Sequence, residues 1–332
     1  MRAAPAFAVL VALLPVSLVA GILVGAVPLA PGDVLGALLG GGDPATGVIV
    51  RDLRLPRVLA AALVGGSLAV AGTLLQGLFR NPLADPYVTG TSAGAALGAV
   101  GVIALGSDIA ATVVPLAAFA GALVSAVIVW QLARLGGRTT VLTVLLAGII
   151  LTSFASAVVT LLLFASDRLS LRLRAVLDVL SGGVAVRSKD ELVIAAVVVA
   201  AGVVIALVLG SRVDAFVFGE ETAATLGVDP ERTTLGVIGA AALLTGAAVA
   251  LAGLVGFVGL VVPHALRPVV GATHRRLAVA SFLAGASVLV LADLGARSAL
   301  APAELPVGVV TGLLGAPFFL FLLVRARRRE VT

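Results

Sequence analysis

The sequence predicts an all-α polytopic membrane protein with about ten transmembrane helices, and three observations carry that expectation. Hydrophobic residues make up 61% of the 332 residues and charged residues only 12%, with mean hydropathy +1.22; soluble domains carry about a quarter charged residues. Apolar runs of the roughly 20 residues that a spanning helix needs recur along the chain. Glycine is abundant, at 39 residues, and small residues let helices approach closely in lipid, where the hydrophobic drive between helices is absent.

Ten runs qualify, at approximately 6–29, 55–79, 88–106, 110–133, 141–165, 191–210, 232–254, 257–271, 275–295 and 305–324. The first follows Arg2 but is longer than the roughly 7–15-residue apolar core of a signal peptide, so it is expected to be a retained span. The second is led by Arg51, Arg54 and Arg57 and ends in Asn81-Pro82-Leu83-Ala84-Asp85-Pro86, where Asn-Pro and Asp-Pro initiate a turn. Ser188-Lys189-Asp190-Glu191 opens the sixth as a capping box. Asp229-Pro230-Glu231 gives the seventh a cap, a first-turn proline and an acid. The eighth is short and interrupted by Pro263 and Arg267, which places it inside the bundle, where irregular backbone is tolerated. A single transmembrane domain over residues 1–332 is expected.

An even number of spans puts both termini on one side. That side then holds 13 of the 22 basic residues and the other holds nine, so the basic bias expects both termini in the cytoplasm. The bias is modest because Arg51, Arg54 and Arg57 cluster outside. A faint repeat at an offset of 181 residues pairs Ala71-Gly72 with Ala252-Gly253, Pro82 with Pro263 and Gly90 with Gly271. It would give two halves of inverted topology, a common transporter plan.

Several function classes drop out. There is no cysteine, which removes disulfides, thiolate metal sites and iron–sulfur clusters. Only His264 and His274 remain for a histidine site, so no metal or cofactor is expected. Lys189 is the only lysine, and a phosphate-binding loop of the Gly-Lys-Ser/Thr type requires one in another setting. The net charge of +5 lies in arginines between spans and at the C-terminus, so no nucleic-acid partner is needed to explain it. No nucleophile–base pair, paired carboxylates or HExxH motif is visible, so the chain is not expected to be an enzyme. The 17 acidic residues all read as lying in loops or at span ends. Ion-coupled carriers hold carboxylates at mid-membrane, so the rival reading, an ion-coupled secondary transporter, lacks its main requirement. A transporter with neither feature must draw energy from a partner.

Two constellations are candidates for contact with partners. Arg54, Arg57 and Arg297 fall at the outer ends of the second and ninth spans. They either receive the acidic face of an external protein or anionic ligand, or snorkel and anchor their helices. On the inner face, loop 211–231 reads as two short helices, the first broken at Gly219. Glu220 and Glu221 suit the positive end of the second, and Leu226-Gly227 closes it with a glycine cap. Such a loop is either a contact for a cytoplasmic motor or an amphipathic segment on the membrane surface. Pro263-His264 is either a hinge or ligand contact, or a satisfied structural pair.

The motifs themselves resemble a known family. RLPRVLAAALVGGSLAVAGTLLQGLFRNPLADPYVTGTSAGAALGA, FGEETAATLGV, GFVGLVVPHALRPVVGATHR, LADLGAR and ELPVGVVTGLLGAPFFLFLL, in that order from about residue 50 to the C-terminus, are similar to the FecCD family. Its members are the permease subunits of ATP-binding-cassette (ABC) importers for iron–siderophore complexes, haem and cobalamin.

The resemblance implies the type II ABC importer permease fold and a homodimer of ten-span subunits in the bacterial inner membrane. It also implies two cytoplasmic ABC ATPase subunits and an extracytoplasmic substrate-binding protein as partners. By resemblance, Arg54, Arg57 and Arg297 receive glutamates of the binding protein. The coupling region falls at about 213–231, with Phe218, Gly219, Glu220, Glu221, Leu226 and Gly227 in its motif, and the inner gate falls at Asn81, Leu83, Val141 and Leu142. The chain departs from the family pattern where Thr139-Thr140 precede Val141-Leu142, and where Leu254 stands for the usual proline. It also departs where Val179-Leu180-Ser181-Gly182-Gly183 lacks a tryptophan, Trp130 being the only one.

Overall fold

The computed structural model describes residues 3–25, 27–105, 110–135, 141–166, 171–186, 188–301 and 303–330, the side chains of 3, 88, 110–112, 141 and 321–330 excepted. Among these residues all regular structure is helical, apart from one isolated bridge between Leu300 and Ala303. Seven helical stretches are long and apolar enough to cross a membrane: 4–23, 44–78, 113–134, 142–165, 189–216, 230–252 and 274–298. Three shorter apolar helices, Thr91–Leu105, Val258–Val270 and Val307–Leu320, coincide with the third, eighth and tenth expected runs.

The bundle is built around α4 (Leu55–Leu78), in which nineteen of 24 residues are buried. A helix apolar all round belongs in a core. Its lead-in is a π-helical turn, Val48–Arg54, so the arginines sit on helix rather than in a loop. Before it come α1 (Ala3–Leu23), α2 (Pro31–Leu38) and α3 (Pro44–Gly47). After it come α5 (Thr91–Leu105), α6 (Ala110–Arg134), α7 (Val141–Ala165), α8 (Leu173–Ser181) and α9 (Lys189–Phe216). The chain ends with α10 (Glu220–Thr225), α11 (Pro230–Ala252), α12 (Val258–Val270), α13 (His274–Ser298) and α14 (Val307–Glu330).

The helix starts follow the local chemistry. The Ser188 hydroxyl accepts from the Glu191 amide at 3.1 Å to cap α9, and Asp229 accepts from the Arg232 amide at 3.1 Å to cap α11. Each satisfies an amide that has no intrahelical partner. Loop 211–231 differs from expectation in its first part. Residues 211–216 continue α9 without a break, and only α10 is a separate short helix. Nothing between 211 and 216 interrupts helical geometry until Gly219, at φ 101°.

The most extensive helix pair is α4 with α13. A Cβ built at Gly65 would meet the Gly285 carbonyl oxygen, and one at Gly285 would meet that of Gly65. The two backbones therefore touch, as small residues permit in lipid. Lower in the pair, the Thr73 hydroxyl lies 3.0 Å from that of Ser281.

The turn after α4 adds most to expectation. A turn was expected without regard to depth; after an exposed corner at 80–83, residues 84–90 fold back into the bundle. The Pro86 ring lies 2.8 Å from the Cβ position of Gly259, and the carbonyl of Leu68, midway along α4, lies 2.9 Å from the same position. Gly90 accepts from Ser125 Oγ of α6 at 2.6 Å and faces Gly148 of α7. α5 thus begins at mid-depth, which accounts for its 15 residues, or about 23 Å at 1.5 Å per residue.

The acidic residues are accordingly not all at span ends. Asp85 is buried at the level of the middle of α4, whereas Asp293, though buried, does lie at a span end, within the last turns of α13. Asp85 accepts the Tyr87 amide at 2.8 Å and so caps the short helix Pro86–Thr89. Composition marked a turn but carried no information about its depth. α12 also runs unbroken through Pro263 and Pro268. Gly90 and Gly271 of the proposed repeat both have positive φ, 75° and 97°, and each closely precedes a helix, but the turn 79–90 of one half stands where the other has α12.

Candidate docking and coupling surfaces

Polar side chains gather at the two ends of the α4–α13 pair. At the end where α4 begins, Arg54, Arg57 and Arg297 come together, as their positions in the sequence led one to expect. Their partners were not legible. Arg54 is 5% exposed, and its guanidinium donates to the carbonyl oxygens of Ile22, Leu23 and Val27, at 2.9 Å and 3.0 Å for the first two. It caps the C-terminus of α1, where carbonyls lack partners and a cation is favoured. Arg297 is 4% exposed, pairs with Asp293 at 3.0 Å and donates to the Gly21 carbonyl at 3.1 Å.

Arg57 is the accessible member of the three. It pairs with Asp293 at 3.0 Å and with Glu304 at 2.7 Å; Asp293 is 1% exposed and Glu304 45%. Asp293 therefore stands between two arginines in a place from which water is excluded, while Glu304 holds Arg57 from the solvent side. Arg54, Arg57, Arg297 and Glu304 border a cavity of about 410 Å³ that is also lined by Asp52, Val184 and Val186. Asp52 in turn pairs with Lys189 at 2.9 Å, which brings the start of α9 to the same end.

At the opposite end lies α10. Gly219 and Gly227, at φ 101° and 81°, bracket it. The amide of Gly227 bonds to Ala224 O at 3.0 Å and that of Val228 to Ala223 O at 3.0 Å, so Leu226-Gly227 does close the helix. Phe218 and Leu226, which flank the helix on either side, are exposed at 71% and 64%, so two apolar side chains at its ends are left uncovered by the chain itself. Glu220 and Glu221 occupy its first turn, where negative charge is favoured.

The residue that ties this end to the bundle was missed. His274 is 1% exposed, and its Nδ1 lies 2.6 Å from Oδ1 of Asp214. The same oxygen accepts the His274 backbone amide at 2.9 Å. Asp214 sits two residues before the end of α9, immediately ahead of α10, and His274 starts α13 against Gly77 of α4. The sequence showed a lone histidine sixty residues from an acid and offered no signal that they meet. His264, singled out with Pro263, is only half-buried on α12.

Of the gate residues, Asn81 accepts the Leu83 amide at 2.9 Å, and Leu83 and Leu142 expose their side chains. The Val141 side chain lies outside the described residues. No cluster of three or more His, Asp or Glu side chains able to hold a metal occurs among the described residues.

Long apolar helices with exposed apolar faces, polar residues gathered at the ends, and a re-entrant turn at mid-depth define a multi-pass α-helical membrane protein. Residues 13–325 match the family model of the FecCD transport family, and the chain belongs to that family of ABC importer permeases.

A cobalamin import system permease protein of Halobacterium salinarum is 45% identical over 284 residues, 86% of this chain and 74% of that protein. A vitamin B12 import system permease protein of Vibrio cholerae is 46% identical over 279 residues, 83% of each chain. A hemin transport system permease protein of Yersinia pestis is 41% identical over 284 residues, 84% of each. Among solved structures, an inward-facing ABC transporter described as of metal-chelate type aligns with TM-score 0.84 at 31% identity, covering 95% of this chain and 97% of that one.

Proposed function

We propose that this chain is the membrane-spanning subunit of a binding-protein-dependent importer that carries a metal chelate, a ferric siderophore, haem or cobalamin, into the bacterial cytoplasm. The relatives named for cobalamin, vitamin B12 and hemin support a bulky metal chelate as cargo. Ten spans would place both termini inside, and a second copy would complete a central path, with Asn81, Leu83, Val141 and Leu142 at its inner constriction. Two cytoplasmic ATPases would supply the energy through the segment 213–231.

The observation that carries the reading is the opposition of two contact surfaces across one rigid helix pair. An arginine-bearing face at one end of α4–α13 suits an acidic partner, and a short helix at the other, α10, flanked by the exposed apolar side chains of Phe218 and Leu226, suits the groove of a motor. Arg54, Arg57 and Arg297 form the docking site in this reading. Arg57 makes direct contact, while Arg54 and Arg297 hold the surface that presents it.

The test is uptake by proteoliposomes containing this chain, its ATPase and its binding protein, with each chelate supplied in turn. ATP-dependent accumulation of one of them is expected. Accumulation without ATP, or driven by an ion gradient alone, would overturn the reading in favour of a secondary transporter.

A further inference from the structure

A groove of about 430 Å³ runs between α1, α9 and α13 near the α10 end. Its walls are apolar, with Phe7 from α1, Leu207 and Val208 from α9, and Val279 from α13. The only charged groups among the described residues lining it are Arg275 and Arg276, at the start of α13. Arg275 is held in place. Its stem packs on Gly210, where a Cβ would come within 2.7 Å of Arg275 Cγ, and its Nε donates to the Leu207 carbonyl at 2.8 Å. No acidic side chain pairs with either guanidinium among the described residues, and Asp214, the nearest acid on α9, is engaged by His274.

Depth decides what can enter. α9 has 28 residues and is about 42 Å long at 1.5 Å per residue, against roughly 30 Å of hydrocarbon. With Lys189 at one surface, the hydrocarbon boundary on the α10 side falls near 207–210, the level at which Arg275 lies. An apolar slot open to the side with two unpaired guanidinium groups at its head-group end matches the chemistry of an anionic phospholipid. An acyl chain fits the slot, and the phosphate receives the fork of donors that arginine presents. Basic pockets between spanning helices hold anionic head groups in this way.

We infer that this groove is a binding site for an anionic phospholipid of the leaflet on the α10 side, with Arg275 and Arg276 on its phosphate. The site rests on the multi-pass reading and not on the identity of the cargo.

The test is native mass spectrometry of the full chain in detergent, supplied with phosphatidylglycerol or phosphatidylcholine of the same acyl chains. The wild-type chain is expected to retain phosphatidylglycerol several-fold better. The double variant R275Q/R276Q should lower that retention by the same several-fold factor, to the level of phosphatidylcholine. Val208→Trp, which fills the slot and keeps both arginines, should reduce retention of both lipids, and a melting curve for each variant shows that it is folded. Equal retention of the two lipids by wild type, or undiminished phosphatidylglycerol on a folded R275Q/R276Q chain, overturns the site. So does displacement of the lipid by equimolar inorganic phosphate, which would indicate a free-phosphate site.

Discussion

The carboxylate of Asp293 has two arginines to satisfy and almost no water to help. It is 1% exposed, with Arg57 and Arg297 each 3.0 Å away. Removing one partner of a buried ionic group leaves the rest uncompensated, at a cost of about 3–5 kcal/mol. Asp293→Asn is therefore expected to lower the melting temperature of the purified chain by many degrees, read by fluorescence-detected unfolding in detergent. Glu304 faces the solvent, and exposed ion pairs contribute only about 0–1 kcal/mol. Glu304→Gln should leave the melting temperature nearly unchanged and free Arg57 for an external acid, so binding-protein affinity at low salt should rise; a fall would argue that Glu304 helps form the docking face. Part of this cluster was legible: Asp293 and Arg297 stand four apart in LADLGAR, the spacing of neighbours on a helix face. The link from Asp293 to Arg57, 236 residues away, exists only through the packing of α4 on α13.

That packing depends on the absence of side chains. At Gly65 an added Cβ would meet the Gly285 carbonyl and come within 2.6 Å of the Leu289 Cβ, and neither can move without its helix. At Gly239 of α11 nothing lies within 4 Å. Gly65→Ala is expected to destabilise the bundle by about 1–3 kcal/mol through overpacking. Gly239→Ala should be neutral or stabilising by up to about 1 kcal/mol through the loss of backbone freedom in the unfolded chain. Thermal melting of the two variants side by side checks the contrast, and equal behaviour would mean that α4 and α13 do not pack through Gly65. The long spans and their helical type were legible, because lipid-length apolar runs leave helix as the only option, whereas the short helices α2, α3 and α8 carried no such signal. Which glycines form contacts was not legible, since 39 of them look alike in sequence. The depth of turn 79–90 was also hidden, because Asn-Pro and Asp-Pro specify a turn wherever it sits.

Across the whole molecule, α4 and α13 join the arginine cluster to the α10 end as one unit. At that end Asp214 uses a single carboxylate oxygen to hold both the backbone amide and the ring of His274. Coupling between distant sites runs through packed and hydrogen-bonded networks, and if the α10 segment receives the ATPase as proposed, the Asp214–His274 contact is the link that would join it to α13. Asp214→Asn keeps the shape and one acceptor but weakens the charge-assisted contact to the ring, so the fold should survive. In complexes reconstituted with the ATPase and binding protein, basal ATP hydrolysis should persist while its stimulation by loaded binding protein falls several-fold. Replacing Glu220 and Glu221 together should act differently, lowering association with the ATPase and hence basal and stimulated hydrolysis alike. If Asp214→Asn instead lowers both rates in proportion, the contact serves assembly, and the signal from the arginine end crosses the membrane by a path other than the α4–α13 pair.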